Sequence, residues 1–455
     1  MRRAPLIGSR AITTRSCVNR HRTEMPMNKK KNYRWTILTM LFLAMIINYV
    51  DRAALSIAMP FITQEYHLTP SEKGMIFSSF FFGYALFCFV GGYLADRFGP
   101  KRVLTWSMSF WSVLCGSTAL AFNFWSLLIV RALFGVGEGP VSTTANKTVN
   151  SWFPIKERAR AIGINQAGGP LGGALAGPIV GFLALWLGWR VAFVVIAVVG
   201  VLWAIAWFRL ATSTPKEHPR VSAEELAEIN EGRETPVTAA QDAPRTPVLQ
   251  IILQRSVLVT GISLFCYNYI LYFFMTWFPS YLIDAKGINL KEMSIVTALP
   301  WLVGTVGFVC GGLLIDWVFK RTGKQLFSRK VVLVTCLLIA AVCIGLTGQV
   351  QSVTTTVVVM TVAIGFLMLT APAYWSLIQD AVPDHQVGTA GGFMHGLANL
   401  SGIVAPTVTG MIIQSTGTYA SGFALAGGLG ILGAVIVAFF VGQKPANQTA
   451  AVAAA

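Results

Sequence analysis

Charge is scarce in this chain: Asp, Glu, Lys and Arg make up 12% of its 455 residues, against roughly 25% in an ordinary soluble domain. With 54% of the residues hydrophobic, that poverty excludes a water-soluble globular enzyme. Cysteine and histidine are equally thin. The seven Cys contain no Cys-x-x-Cys pair and the His number five, so neither a disulfide framework nor a zinc-type spacing is present. No HExxH or GxSxG pattern occurs, which leaves an embedded enzyme without a nucleophile or metal set. Acid is scarcer than base. Nineteen acidic against 35 basic residues give a net charge of +16, a balance that in a soluble protein would point to nucleic acid.

What the chain has instead is long apolar runs. A bilayer core about 30 Å thick needs about 20 apolar residues per helix, and twelve such runs lie near 36–58, 74–95, 103–122, 124–146, 159–187, 191–211, 256–283, 293–318, 331–348, 354–379, 388–413 and 420–441. Backbone polar groups must satisfy one another in lipid, so a bundle of helices is the economical reading. From Lys29 onward, 23 cations fall at the ends that are cytoplasmic if the N-terminus is inside, and four (Lys73, Arg190, Lys286, Lys291) fall at the opposite ends. The positive-inside rule then places both termini in the cytoplasm. The basic balance is membrane topology, and no nucleic-acid partner is expected.

The expected organisation is a disordered basic extension over 1–30, a six-helix half over 31–211, a cytoplasmic linker over 212–254, a second six-helix half over 255–442 and a disordered tail over 443–455. Residues 1–26 carry six Arg and one acid without a signal-peptide core, and Met25 and Met27 offer a start downstream of Met1. Within the linker, Ser222-Ala-Glu-Glu225 has capping-box spacing and predicts a short surface helix.

The two halves echo each other. Gly91-Gly-Tyr-Leu-Ala-Asp96-Arg97-Phe-Gly99-Pro-Lys101-Arg102 follows the second span, and Gly311-Gly-Leu-Leu-Ile-Asp316-Trp, with Lys320-Arg321-Thr-Gly323-Lys324, follows the eighth. Paired glycines let helices approach closely, and each Asp can meet a helix N-terminus or the basic loop after it. Such a contact, made in one state and broken in another, lets two halves rock around a midplane site. Each Asp-Arg or Asp-Trp can equally just end a helix at the lipid surface.

On these residues the chain resembles the major facilitator superfamily over about 30–442. Within it, Tyr49-Val-Asp51-Arg52, Arg131-Ala-Leu-Phe-Gly135-Val-Gly-Glu138-Gly-Pro140, Trp152-Phe-Pro-Ile-Lys-Glu157-Arg158-Ala and Tyr272-Phe-Phe-Met-Thr-Trp277-Phe-Pro279 are similar to the anion:cation symporter family, with its bacterial galactonate and glucarate transporters. The resemblance implies an all-α membrane protein of twelve transmembrane helices in two six-helix halves. It also implies proton-coupled uptake of a small organic anion, a sugar acid (aldonate, aldarate or hexuronate), by a monomer in a bacterial inner membrane, with the proton as coupling ion and no other cofactor.

A charge at the centre of a span costs about 2.5–3.5 kcal/mol on insertion scales, and Asp51, Arg52, Arg131 and Glu138 are the clear cases. Asp51 and Arg52 are adjacent and project about 100° apart on a helix, so one can face a cavity while the other faces a neighbouring helix. Arg131 and Glu138 are seven apart, two turns along one face. A carboxylate kept from water holds its proton, and an arginine against it releases the proton. An anion that claims the arginine therefore loads together with a proton. The resemblance implies protonation at Asp51 and Glu138 and substrate carboxylate at Arg52; on position alone, Arg131 is expected to adjust Glu138, and Asp96, Arg97 and Asp316 to make the cytoplasmic coupling contacts. A structural ion-pair network joining the first and fourth spans is the plainer alternative.

Hydroxyl-directed partners are sought among polar and amphipathic residues inside spans: Tyr49, Tyr84, Asn165, Gln166, Tyr267, Asn268, Tyr272, Trp375, His395 and Asn399. Of these, Tyr84, Asn268 and Trp375 match similar types in sugar-acid symporters. Two departures leave the substrate open. His395, in Gly391-Gly-Phe-Met-His395-Gly-Leu-Ala-Asn399-Leu, stands where relatives usually carry Asn, and Gln166-Ala-Gly-Gly-Pro170-Leu-Gly-Gly-Ala lacks the polar residue expected near Gly169. An aromatic or other carboxylic acid is the alternative substrate. Proton-coupled efflux is suggested by Gly172-Gly-Ala-Leu-Ala-Gly177-Pro178, and a membrane receptor or scaffold is the non-transport alternative.

Overall fold

The computed structural model describes residues 32–231, 248–382 and 387–442. The expectations for residues 1–31, for the tail from 443 and for linker residues 232–247 lie outside the described residues. Each apolar run forms helix, and no strand occurs among the described residues. The first six runs give α1 (Tyr33–Tyr66), α2 (Pro70–Phe98), α3 (Pro100–Ser117), α4 (Phe124–Glu138) continued by α5 (Val141–Trp152), α6 (Ile155–Leu187) and α7 (Trp189–Leu210). Two short helices follow, α8 (Ala223–Asn230) and α9 (Val248–Ile252). The second six runs give α10 (Arg255–Asp284), α11 (Leu290–Val296) continued by α12 (Ala298–Thr322), α13 (Gln325–Thr347), α14 (Val353–Leu369) continued by α15 (Ala371–Ala381), α16 (Val387–Thr416) and α17 (Ala420–Phe440). Eleven stretches are long and apolar enough to cross a membrane, and α2, bent by 46° between Cys88 and Val90, makes a twelfth.

The span expected over 124–146 is broken at Gly139-Pro140, so Glu138 ends a helix rather than lying inside one. Pro140 has no N–H to give to the carbonyl four residues earlier, which loosens the helix there. Side chains such as Phe82, Leu120, Trp186 and Phe439 are exposed, which suits a surface that meets lipid rather than water.

In the first half α1 packs on α6, α2 on α4 and α3 on α7; in the second, α10 packs on α16 and α17, α12 on α14 and α13 on α17. Across the halves α2 lies along α16, α6 along α11 and α12, and α1 against α10. The end of the bundle carrying the turns near 99, 153 and 323 is the linker end, and the opposite end the far end. Hydrogen bonds join the halves toward the far end: Ser71 N to Gln414 Oε1 (3.1 Å), Lys73 Nζ to Asp284 Oδ2 (3.5 Å), and Ser78 Oγ to the Ile403 carbonyl (2.6 Å) with Thr407 Oγ1 donating to Ser78 Oγ (2.8 Å). The backbones also touch there. A Cβ placed on Gly74 would fall 2.4 Å from the Pro406 carbonyl oxygen, and one on Gly177 2.4 Å from that of Ser294. The bundle is thus closed at the far end.

The short helix predicted at Ser222 is α8, and Ser222 Oγ accepts from Glu225 N at 3.1 Å. The expected return bond from Glu225 is replaced by a longer-range one. Its two carboxylate oxygens accept from the Tyr33 and Arg34 N–H groups at 3.0 and 2.9 Å, which satisfies two of the open donors at the start of α1. Arg34 in turn donates to Glu228 (2.9 Å).

Candidate functional site

The adjacent positions of Asp51 and Arg52 on α1 do send the two side chains to different neighbours. Asp51, buried, accepts from Trp111 Nε1 of α3 at 3.0 Å and lies 3.9 Å from Cys115 Sγ. Arg52 turns to α4, where its Nε donates to Glu138 Oε2 at 2.6 Å. The guanidinium carbon lies 4.4 Å from the centroid of the Tyr84 ring, 5.1 Å from that of Phe80 and 5.5 Å from that of Tyr49. Cation–π attraction from three rings thus holds the part of the arginine that the carboxylate does not.

Glu138 is 0% exposed. It reaches this depth because α4 lies on α2 almost backbone to backbone: a Cβ on Gly135 would fall 2.0 Å from the Phe80 carbonyl oxygen. Arg131 is expected to adjust Glu138, and no hydrogen bond joins the two side chains. Its guanidinium lies over the rings of Phe134 (4.5 Å) and Phe80 (5.2 Å). Its Nε and Nη1, together with Glu138 Oε1 and Asn48 Nδ2, have no hydrogen-bond partner. Donors on Arg131 and Asn48 and an acceptor oxygen on Glu138 thus lie around one buried ion pair.

The second half faces this cluster with Tyr272, whose hydroxyl donates to Asn399 Oδ1 at 2.7 Å, while Asn399 Nδ2 donates to the His395 carbonyl at 2.8 Å. The Tyr272 ring meets Phe81 of α2 across the halves at 4.3 Å. Asn268 is buried on α10. The His395 ring lies 6.0 Å from that of Trp375, which is 45% exposed. Gln166 is half-buried on α6, whereas its neighbour Asn165 is buried with both amide atoms lacking partners. Tyr267 is directed away, with its hydroxyl on Met368 Sδ at 3.5 Å.

At the linker end Asp96 forms its ion pair with Lys147 of α5, not with the basic loop after it, and Lys147 Nζ also donates to the Ala95 carbonyl (2.8 Å). Arg97 donates to Tyr93 Oη at 2.9 Å. Both contacts stay within the first half. Asp316 is exposed on α12, and the ion pair on its side of the molecule joins Arg329 and Asp380.

Trp111, Cys115, Phe80, Lys147 and Trp301 were not singled out by sequence. Trp301 of α12 meets the Tyr49 ring edge-on at 6.3 Å and 85° and packs on Phe274 at 5.3 Å. It shares a small cavity with Ser56, Gly173, Phe278 and Thr297, one turn beyond Arg52. Only the Trp111 and Cys115 spacing, four residues on one helix face, hints that they act on one target.

The Major Facilitator Superfamily model matches residues 41–326 and 322–454. A hexuronate transporter of Bacillus subtilis is 46% identical over 419 residues, covering 91% of this chain and 97% of that protein. A probable sulfoacetate transporter of Cupriavidus necator is 36% identical (91% and 95% covered), and a probable galactarate/D-glucarate transporter of Escherichia coli 33% identical (91% and 96% covered). Among solved structures, a bacterial homologue of the human lysosomal transporter Spinster, in an inward-facing and occupied conformation, superposes with a TM-score of 0.69 over 90% of this chain and 96% of its own, at 19% identity. The chain belongs to the Major Facilitator Superfamily and is a multi-pass membrane transporter.

Proposed function

We propose that this transporter carries a sugar acid into the cell together with protons, across a bacterial inner membrane and with both termini in the cytoplasm. The observation that carries the reading is the contact between Arg52 and Glu138. An anion arriving in the cavity finds an arginine already engaged by a buried carboxylate, so the two anions compete for one cation. Breaking a buried ion pair by removing one partner costs about 3–5 kcal/mol. Glu138 escapes that cost by taking up a proton when the substrate carboxylate takes Arg52. Arg131 and Asn48, with donors to spare, then hold the freed side chain. Asp51, in its own cradle of Trp111 and Cys115, serves as the second proton carrier.

Alternating access follows from the position of the site between the halves. Closing the linker end and opening the far end exposes the same residues to the other side. The relatives named above are a hexuronate transporter, a probable sulfoacetate transporter and a probable galactarate/D-glucarate transporter, and hydroxyl-directed groups such as Asn268, Gln166, Tyr272, His395 and Asn399 favour a polyhydroxylated acid.

The test is uptake of radiolabelled glucuronate, galactonate, glucarate and 4-hydroxybenzoate by energised vesicles, with and without an uncoupler. Uncoupler-sensitive accumulation of a sugar acid, lost in Arg52→Ala and in Asp51→Asn, is expected. Accumulation of 4-hydroxybenzoate alone, or accumulation that the uncoupler leaves intact, would contradict the reading.

A further inference from the structure

Several cations at the linker end already have a carboxylate. Lys147 pairs with Asp96, Arg34 with Glu228, Lys156 with Glu231 and Arg329 with Asp380. The pattern fails where the end of α2, the start of α3 and the end of α7 meet. There Arg97, Lys101, Arg102 and Arg209 make no ion pair with an acid among the described residues.

What these cations have beside them is aromatic surface. The Arg97 guanidinium carbon lies 5.5 Å from the centroid of the Phe98 ring, and Lys101 Nζ lies 4.7 Å from that of Phe208 on α7. Phe98 in turn meets Trp106 edge-on at 5.6 Å. Trp106 and Phe208 are more than half exposed. Trp207 Nε1 donates to the Lys101 carbonyl at 3.2 Å, which ties α3 to α7 at this level.

Below the cations the surface turns apolar. Arg102, Trp106, Phe110 and Val113 recur at helical spacing and are all exposed, so one face of α3 runs from an arginine at the linker end into the surface that meets lipid. Aromatic rings gather where a bilayer's headgroups give way to its chains, and cations just above them are within reach of phosphate. A ligand that fits both parts carries negative charge at one end and hydrocarbon below it. An acidic peptide or a soluble phosphate offers only the first.

We propose that this patch binds an anionic phospholipid, with Lys101, Arg102 and Arg209 around the headgroup phosphate and the acyl chains along Trp106, Phe110 and Val113. The proposal needs only that the chain spans a membrane and is independent of what it carries. The turn held in this way also carries Asp96, and with it the contact to Lys147.

The test titrates the full chain in detergent with phosphatidylglycerol or with phosphatidylcholine of the same chains and counts bound lipid by native mass spectrometry. For the lipid held most tightly, phosphatidylglycerol should bind at least about tenfold better. Lys101→Gln and Arg102→Gln should each weaken it about fivefold, the effect of about 1 kcal/mol per cation, and leave phosphatidylcholine unchanged. Arg102→Lys, which keeps the charge, should stay within about twofold of the wild type. Lys156→Gln removes an exposed cation already paired with Glu231 and should change neither lipid. Equal binding of the two lipids overturns the proposal. So does equal weakening by Lys156→Gln and Arg102→Gln, the mark of diffuse attraction to net positive charge, or displacement of phosphatidylglycerol by equimolar glycerol phosphate, which would show that the chains add nothing.

Discussion

Arg52 has to serve two anions in turn, and its surroundings suit that double role, with one carboxylate in line with Nε and aromatic faces around the remainder. Asp51 depends on a different support, the Trp111 indole. Removing that donor in Trp111→Phe deletes a hydrogen bond to a charged group, worth about 1.5–3 kcal/mol. The expected result is a pH profile of driven uptake displaced by roughly one to two units with the substrate half-saturation in counterflow little changed; an unaltered profile would show that Asp51 takes no part in the coupling. The charged members of the site were legible in the sequence because a charge inside an apolar run stands out. Their partners were not. Trp111, Cys115 and Trp301 are apolar or amphipathic residues in spans, and nothing local separates those facing the site from those facing lipid. The pairing itself was also hidden: seven-residue spacing put Arg131 and Glu138 on one face, yet the neighbouring helix brought Arg52 closer.

At the scale of elements, the short α8 holds the start of α1 through Glu225, and His218 supports the same joint. His218 stacks on Tyr33 at 4.0 Å, its Nδ1 accepts from Arg220 N at 3.2 Å, and its Nε2 lies 3.1 Å from the Leu210 carbonyl. This arrangement needs the neutral ring, with Nε2–H donating. Burial lowers the His218 pKa from its ordinary value, with Arg220 adding in the same direction. A group held below its unfolded pKa stabilises fully above about pH 6.5 and loses that contribution as the pH falls through its folded value. The protection of the amides over Ala223–Asn230, taken relative to their intrinsic exchange rate at each pH, should therefore fall below about pH 6.5, and His218→Phe should flatten the dependence; protection insensitive to pH would rule this out. Where helices break was only partly readable. Pro140 and Pro372 stand at breaks, whereas Pro60, Pro170, Pro178, Pro279 and Pro406 lie within continuous helices. The difference lies in neighbours that no single sequence reveals, as where Trp277 Nε1 donates to the Pro406 carbonyl at 3.3 Å. By contrast the Ser222 cap and the close helix packing at Gly91 and Gly311 were legible, because each rests on local chemistry.

For the whole molecule, twelve apolar runs and the asymmetry of their flanking cations were enough to anticipate a twelve-helix bundle, but not which end is closed. Closure at the far end rests on contacts between distant segments, of which Lys73 with Asp284 is an ion pair that joins the halves, and Tyr419 Oη supports it by donating to Asp284 at 2.8 Å. Lys73→Ala should let the far end open more often. Spin labels at Gln64 and Ser415 would read this as a roughly fivefold larger long-distance population, the change that about 1 kcal/mol brings, and an unchanged distribution would assign closure to packing alone. In the proposed cycle, substrate and proton exchange places at the Arg52–Glu138 pair. The decisive measurement uses Glu138→Gln in proteoliposomes and compares sugar-acid counterflow with accumulation driven by a proton gradient. Counterflow retained with driven accumulation lost is the predicted result, and accumulation that persists at the wild-type level would contradict the exchange.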